Sequence, residues 1–107
     1  MSELLRSSRV TGSPEIVQVA SATTLEARSQ VVHIQTASGA FTVTLPNVTK
    51  AIGVMIILNK TDASINAATI AHGGGSEGWT NLTMDAQNDK AVLISDGVAW
   101  HILNNIA

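Results

Sequence analysis

Three histidines, a run of glycines and a few scattered carboxylates are the side chains whose types and spacing first suggest chemistry. His72-Gly73-Gly74-Gly75 reads as the HGGG turn that supplies oxyanion-hole amides, and Gly74-Gly75-Ser76-Glu77-Gly78 fits the G-x-S-x-G nucleophile elbow. In a hydrolase these are separate elements, one on a loop after an early strand and the other at a strand-to-helix turn. Here they overlap in a single loop, and the Trp79-Thr80-Asn81-Leu82-Thr83 that follows is not a helix start. The same glycines lack the Lys-Ser/Thr pair of a phosphate loop. A surface loop is the better reading, and no enzymatic activity is expected.

The histidines give no more. His33, His72 and His101 have no ligand-like spacing, and there is no cysteine, so neither a zinc site nor a disulfide framework is expected. Glu77, Asp85, Asp89 and Asp96 do not fit a calcium loop. No cofactor and no metal follow from these residues.

Composition narrows the class. The chain has 107 residues, enough for one domain and one core. Charged residues make up 13%, against roughly 25% in an average globular chain, while Ser, Thr and Asn supply 28 residues. A neutral, hydrogen-bonding surface suits contact with other chains, because interface cores are depleted in charge; a plain monomer is the alternative. A net charge of −2 argues against a nucleic-acid partner, which would need a basic stripe. The first residues lack the apolar core of a signal peptide, and no apolar run approaches the ~20 residues of a membrane helix. Synthesis in the cytoplasm and no membrane partner are expected.

The elements that must carry these residues read as short strands. Residues 1–15 are polar and end in Gly12-Ser13-Pro14, which reads as a tail or as an extended arm that orders on a partner. The β domain is expected over residues 16–107. Ile16 to Ala20 is a first strand, and Ala22 to Arg28 a loop or single turn. Val31 to Thr36 is expected to turn through Ser38-Gly39 into Phe41 to Leu45 as a hairpin, with Phe41, Val43 and Leu45 on its buried face. Val54 to Leu58 is apolar on both faces and reads as a central strand, and Ile65 to Ile70 and Trp79 to Met84 follow as shorter ones. Asp96-Gly97 suits a two-residue type I′ turn between Val92–Ser95 and Val98–Ile102. Trp100, in phase with Val98 and Ile102, is expected in the core. Trp79, beside the glycines, reads either as core or as a subunit or partner contact. Seven or eight short strands imply a small antiparallel β-sandwich or barrel.

Placed in order, these pieces form a recognisable string: Phe41-Thr42-Val43-Thr44-Leu45-Pro46, then Gly53 through Ile57-Leu58-Asn59, then Ser95-Asp96-Gly97-Val98-Ala99-Trp100. The string resembles the "TLP … G … I-x-N … SDG-x-x-W" pattern of virion β domains in tailed bacteriophages, over roughly residues 31–103. Trp79-Thr80-Asn81-Leu82 departs from it, standing where such domains more often carry an aliphatic-x-Gly turn. The resemblance implies an all-β homotrimer without enzymatic activity, and a short free-standing domain with an arm is most like a capsid decoration (cement) protein. It implies a place on the outer surface of the mature head, with the major capsid protein as partner. The arm would bind by strand addition, with Leu4, Leu5, Val10 and Ile16 as apolar anchors and Arg6 and Arg9 meeting acidic capsid residues. A head-fibre, tail-fibre or baseplate module that binds a host glycan or another tail protein is the alternative.

Overall fold

A computed structural model describes residues 15–73 and 79–106. Nine strands form two sheets among these residues: β1 (Glu15–Val19), β2 (Thr23–Thr24), β3 (Gln30–Ile34), β4 (Phe41–Thr44), β5 (Met55–Lys60), β6 (Ala68–Ala71), β7 (Asn81–Met84), β8 (Lys90–Ser95) and β9 (Trp100–Ile106). One sheet runs β1-β3-β5-β8-β9 and the other β2-β4-β6-β7; neither closes into a barrel. Among the described residues no helix is long and apolar enough to cross a membrane.

The expected antiparallel arrangement is corrected. β1 pairs with β3 and β3 with β5 in parallel, and so do β2 with β4 and β4 with β6. Parallel neighbours need a crossover rather than a tight turn. Here each crossover carries a strand of the opposite sheet, so the chain winds as a flattened coil of three turns. β7, β8 and β9 then add antiparallel strands, β7 on β6, β8 on β5 and β9 on β8. The hairpin expected at Ser38-Gly39 is therefore absent: β3 and β4 lie in different sheets, and that turn carries the chain between them.

Alternation along each strand places the core between the sheets. From the five-stranded sheet come the inward rows Val17–Val32–Leu58–Ala91 and Gln30–Ile56–Leu93–Ile102. From the other come Val43–Ile70–Leu82 and Phe41–Ala68–Met84. Val43 and Leu45 are fully buried and Phe41 packs against the cluster, as their shared phase requires. Trp100 is fully buried too, but Ile102 is half-buried and Val98 is 78% exposed. Val98 precedes the strand instead of belonging to it.

Several local expectations shift with this frame. β1 begins at Glu15, one residue inside the stretch assigned to the arm. Ile65 lies outside β6 and is 88% exposed. The Asp96-Gly97 connection joins two antiparallel strands as expected, but it is not type I′. Gly97 has φ +92, whereas Asp96 does not take a positive φ. The loop spans four residues, and the Asp96 carboxylate closes it by accepting from the amides of Val98 (2.8 Å) and Ala99 (2.9 Å).

β5 is the strand both parallel and antiparallel halves share, and its Leu58 is fully buried. Leu58→Ala should cost about 3 kcal/mol, the range for a buried leucine truncated where neighbours cannot collapse. The check is the urea midpoint at unchanged slope; an unmoved midpoint would show that this row is not the centre of the core.

Candidate functional site

The polar side chains of the described residues gather in three places, each held by structural contacts. At the end of β5, Lys60 is fully buried. Its Nζ donates to the carbonyls of Ser64 (2.5 Å) and Asp62 (3.1 Å) and stands 3.3 Å from Asp62 Oδ2. Asp62 accepts from the Thr36 amide (2.8 Å), the Ser64 amide (3.1 Å) and the Ser64 hydroxyl (2.5 Å). Thr36 Oγ1 donates to Asn66 O, and Asn66 Nδ2 donates back to Thr36 O. Partial burial would raise the Asp62 carboxyl, but the hydrogen bonds from Ser64 and Thr36, with Lys60 beside them, hold it well below the usual carboxylate range. With its ammonium paired and hydrogen-bonded, Lys60 is a clamp for residues 61–66, not a nucleophile. The sequence signal for this clamp is Asp62-Ala63-Ser64, where an aspartate can bond the amide two residues on.

The second place is the corner where the glycine run begins. Trp100 Nε1 donates to Pro46 O (3.0 Å), and Trp79 Nε1 donates to Trp100 O (2.8 Å). His72 meets the Trp79 ring edge-on at 5.3 Å. A Cβ on Gly73 would collide with the carbonyl oxygens of Leu45 and Pro46, so this glycine is set by close backbone approach. Trp79 is half-buried and packs against the core. Ser76 and the rest of Gly74–Gly78 lie outside the described residues.

The third is the β8–β9 loop, where His101 Nε2 and Asp96 Oδ2 are 2.8 Å apart. The Ala99 and Val98 amides, then His101, lower the Asp96 carboxyl to about 2. The nearby Ser95 hydroxyl donates to Val48 O and accepts from the Gly97 amide, both structural contacts. Among the described residues no group of three His, Cys, Asp or Glu could hold a metal ion.

The proposed arm residues Leu4, Leu5, Arg6, Arg9 and Val10 lie outside the described residues. Ile16 is described: it stands on the outward side of β1, 63% exposed. Beside it lies a cavity of about 200 Å³ whose lining includes Val17, Val19, Thr23 and Leu25.

What distinguishes the surface is the contrast between its two outer sheet faces. The four-stranded sheet turns out the rows Thr42–Thr69–Thr83 and Thr24–Thr44–Ala71–Asn81. The five-stranded sheet turns out Ile16–Val31–Ile57–Val92 and Met55–Ile94–His101, with Gln18–His33–Asn59–Lys90 along one margin. No family model and no curated protein matches this chain.

The acid response follows from the two carboxylates. Each has a folded-state pKa below its ordinary 3.8, so each contributes stability in full above that value and loses it as the pH falls. Asp96 loses its share between 3.8 and about 2. Asp62→Asn should lower stability at neutral pH by on the order of 2 kcal/mol, the scale of hydrogen bonds to a charged group. The gap between variant and wild type should narrow as the pH falls below 3.8. Urea unfolding across that range checks it; a gap that stays constant would remove Asp62 from the acid limb.

Proposed function

We propose that this chain is a tailed-phage capsid decoration protein, which binds the outer surface of the mature head as a trimer and stabilises the shell. The observation that carries this reading is where the phage-like string lies in space. Three of its parts, up to about sixty positions apart, meet at one corner, while Ile57-Leu58-Asn59 runs along β5 away from it. Trp100 bonds Pro46 O, Ser95 bonds Val48 O, and the Gly53 amide donates to Ser95 O at 2.8 Å. That Leu45-Pro46, Gly53 and Ser95 to Trp100 pack together supports the resemblance. The charge-poor, Ser/Thr/Asn-rich surface supports a life among closely packed protein chains.

The arm has a mechanism in this frame. Residues 1–14 lead into β1, whose outer edge carries no partner strand among the described residues. Pairing of an extended segment with a capsid-protein edge supplies backbone hydrogen bonds, and three linked arms reinforce one another.

The deciding measurement is copy number in purified particles, by quantitative mass spectrometry against the major capsid protein. Stoichiometric amounts are expected. A handful of copies would move the chain to a head fibre, tail fibre or baseplate, and absence from the particle would overturn both readings. Removing residues 1–14, and sparing Glu15 because it pairs with Arg28 at 2.5 Å, should leave a folded protein that no longer binds heads. Undiminished binding would show that the arm is not the anchor.

A further inference from the structure

We propose that Asp96-Gly97 is a latent site of spontaneous backbone modification, an aspartate able to become isoaspartate, which the folded β8–β9 loop holds closed. The inference is independent of the decoration reading.

The sequence supplies the reactive pair. Asp96-Gly97 is the one Asp-Gly step in the chain, and there is no Asn-Gly. A peptide nitrogen that follows an aspartate can attack the side-chain carboxyl carbon. Glycine hinders that attack least, because it has no Cβ and its backbone turns freely. In the first step the Gly97 nitrogen bonds to Asp96 Cγ, and a C–O bond of the protonated carboxyl breaks. The carboxyl OH leaves with the amide proton as one water, which closes a five-membered succinimide. In the second step water opens the ring. Attack at Cγ returns aspartate, whereas attack at the backbone carbonyl carbon leaves Gly97 joined through Cγ, as isoaspartate. Water alone is consumed and released, and the product has the mass of the starting chain.

The fold requires this pair. Gly97 has φ +92, and a Cβ there would stand 2.8 Å from Cγ1 of Ile52, so any side chain is both strained and crowded. Asp96 closes the loop by accepting from the Val98 and Ala99 amides. Asparagine could accept the same bonds, but it reacts by the same route with ammonia as the leaving group.

The contacts that build the loop oppose each part of the reaction. The Gly97 amide donates to Ser95 Oγ at 3.1 Å, and that hydroxyl is committed in turn to Val48 O at 3.0 Å. Attack on Cγ requires the amide to leave this acceptor and give up its proton. On the other partner, Oδ1 holds two backbone amides and Oδ2 lies 2.8 Å from His101 Nε2. These bonds favour the ionised carboxylate, which cannot release water, and they resist the side-chain rotation that ring closure demands. The Asp96 side chain is 53% exposed, so hydrogen bonding protects it and burial does not. Modification then proceeds from molecules whose loop has opened. Isoaspartate adds a methylene to the main chain and removes the carboxylate that closed the four-residue connection, so a transient opening becomes a permanent one.

The test compares the full chain folded and unfolded in urea, at one temperature and neutral pH. Isoaspartate at Asp96 is read by peptide mapping with fragmentation that separates the two linkages. It should form at least about tenfold more slowly in the folded chain, since only the opened fraction reacts. Ser95→Ala and His101→Ala should each speed it several-fold in the folded chain and leave the unfolded rate unchanged. If Ser95→Ala, which also loses the bond to Val48 O, does not fold, His101→Ala carries the comparison. Asp96→Asn separates geometry from titration: its conversion to the acid, read as a mass gain, should also be at least about tenfold slower when folded. Equal rates in the folded and unfolded chain overturn the proposal, as does a folded rate that neither variant moves. So does isoaspartate that builds up at Asp62, Asp85 or Asp89 ahead of Asp96 in the unfolded chain, because Asp96-Gly97 would then not be the reactive pair.

Discussion

Two parallel strands cannot be joined by a tight turn, and most of this architecture follows from that constraint. The chain must leave one sheet, cross, and return before it can lay the next strand beside the last. It uses each excursion to add a strand to the second sheet, so both sheets grow together and their inner faces are matched turn by turn. β5 ends the parallel run in one sheet and β6 in the other, after which β7, β8 and β9 return antiparallel. The core rows run without interruption across that change, because only the pairing direction alters and not the inward phase of the side chains.

The excursions put irregular chain at the ends of the sandwich, where backbone groups have no ladder to satisfy them. Two polar arrangements hold these ends. At one, Lys60 lies fully buried and meets carbonyls that a loop of this shape cannot bond internally, while Asp62 gathers amides and hydroxyls from Thr36 and Ser64. A buried cation is costly unless its charge and its protons are all met. Here the pairing with Asp62 and the two carbonyls meets that requirement. At the other, two indoles act in series, Trp79 on the Trp100 carbonyl and Trp100 on the Pro46 carbonyl. Each ring brings a large apolar body to the core and one N–H to a backbone carbonyl. The residues that look most like chemistry, His72 and the glycine after it, sit against this second arrangement and are fixed by its packing.

This division explains what could be read before the structure and what could not. Where apolar and polar residues alternate, the inward positions follow directly, so Val43, Leu45 and Trp100 are legible as core, whereas β5 is apolar on both faces and alternation does not single out Leu58. Pairing partners are not, because Val31–Thr36 and Phe41–Leu45 flank a short turn whether they form a hairpin or face each other from opposite sheets. Repeat detection gives no help either: Glu15 pairs with Gln30 but Gln30 with Ile56, so successive turns of the coil have unequal length. Asp96-Gly97 fits a type I′ turn by residue type, yet the Asp96 side chain bonds the amides of Val98 and Ala99 and makes a longer loop the better-satisfied one. Lys60 was hidden for a related reason. A lysine beside Thr, Asp and Ser has the composition of a surface turn, and its burial depends on carbonyls that only the folded loop presents.

The outer faces carry the last step. The inner face of a strand is under selection for packing, whereas its outer face records what the domain meets, and the two sheets of this domain record different things. Thr42, Thr69 and Thr83 form a row that hydrogen-bonds water at no cost. Ile16, Val31, Ile57 and Val92 form a row one residue longer whose side chains have nothing to offer water. Strand propensity is satisfied by both rows, so it cannot be the cause of the difference. Charge-poor composition acts in the same direction, since a surface stripped of Lys and Glu gives up the repulsion that keeps copies apart. The two outer faces therefore differ in what they offer a neighbour, hydroxyls on one and aliphatic side chains on the other.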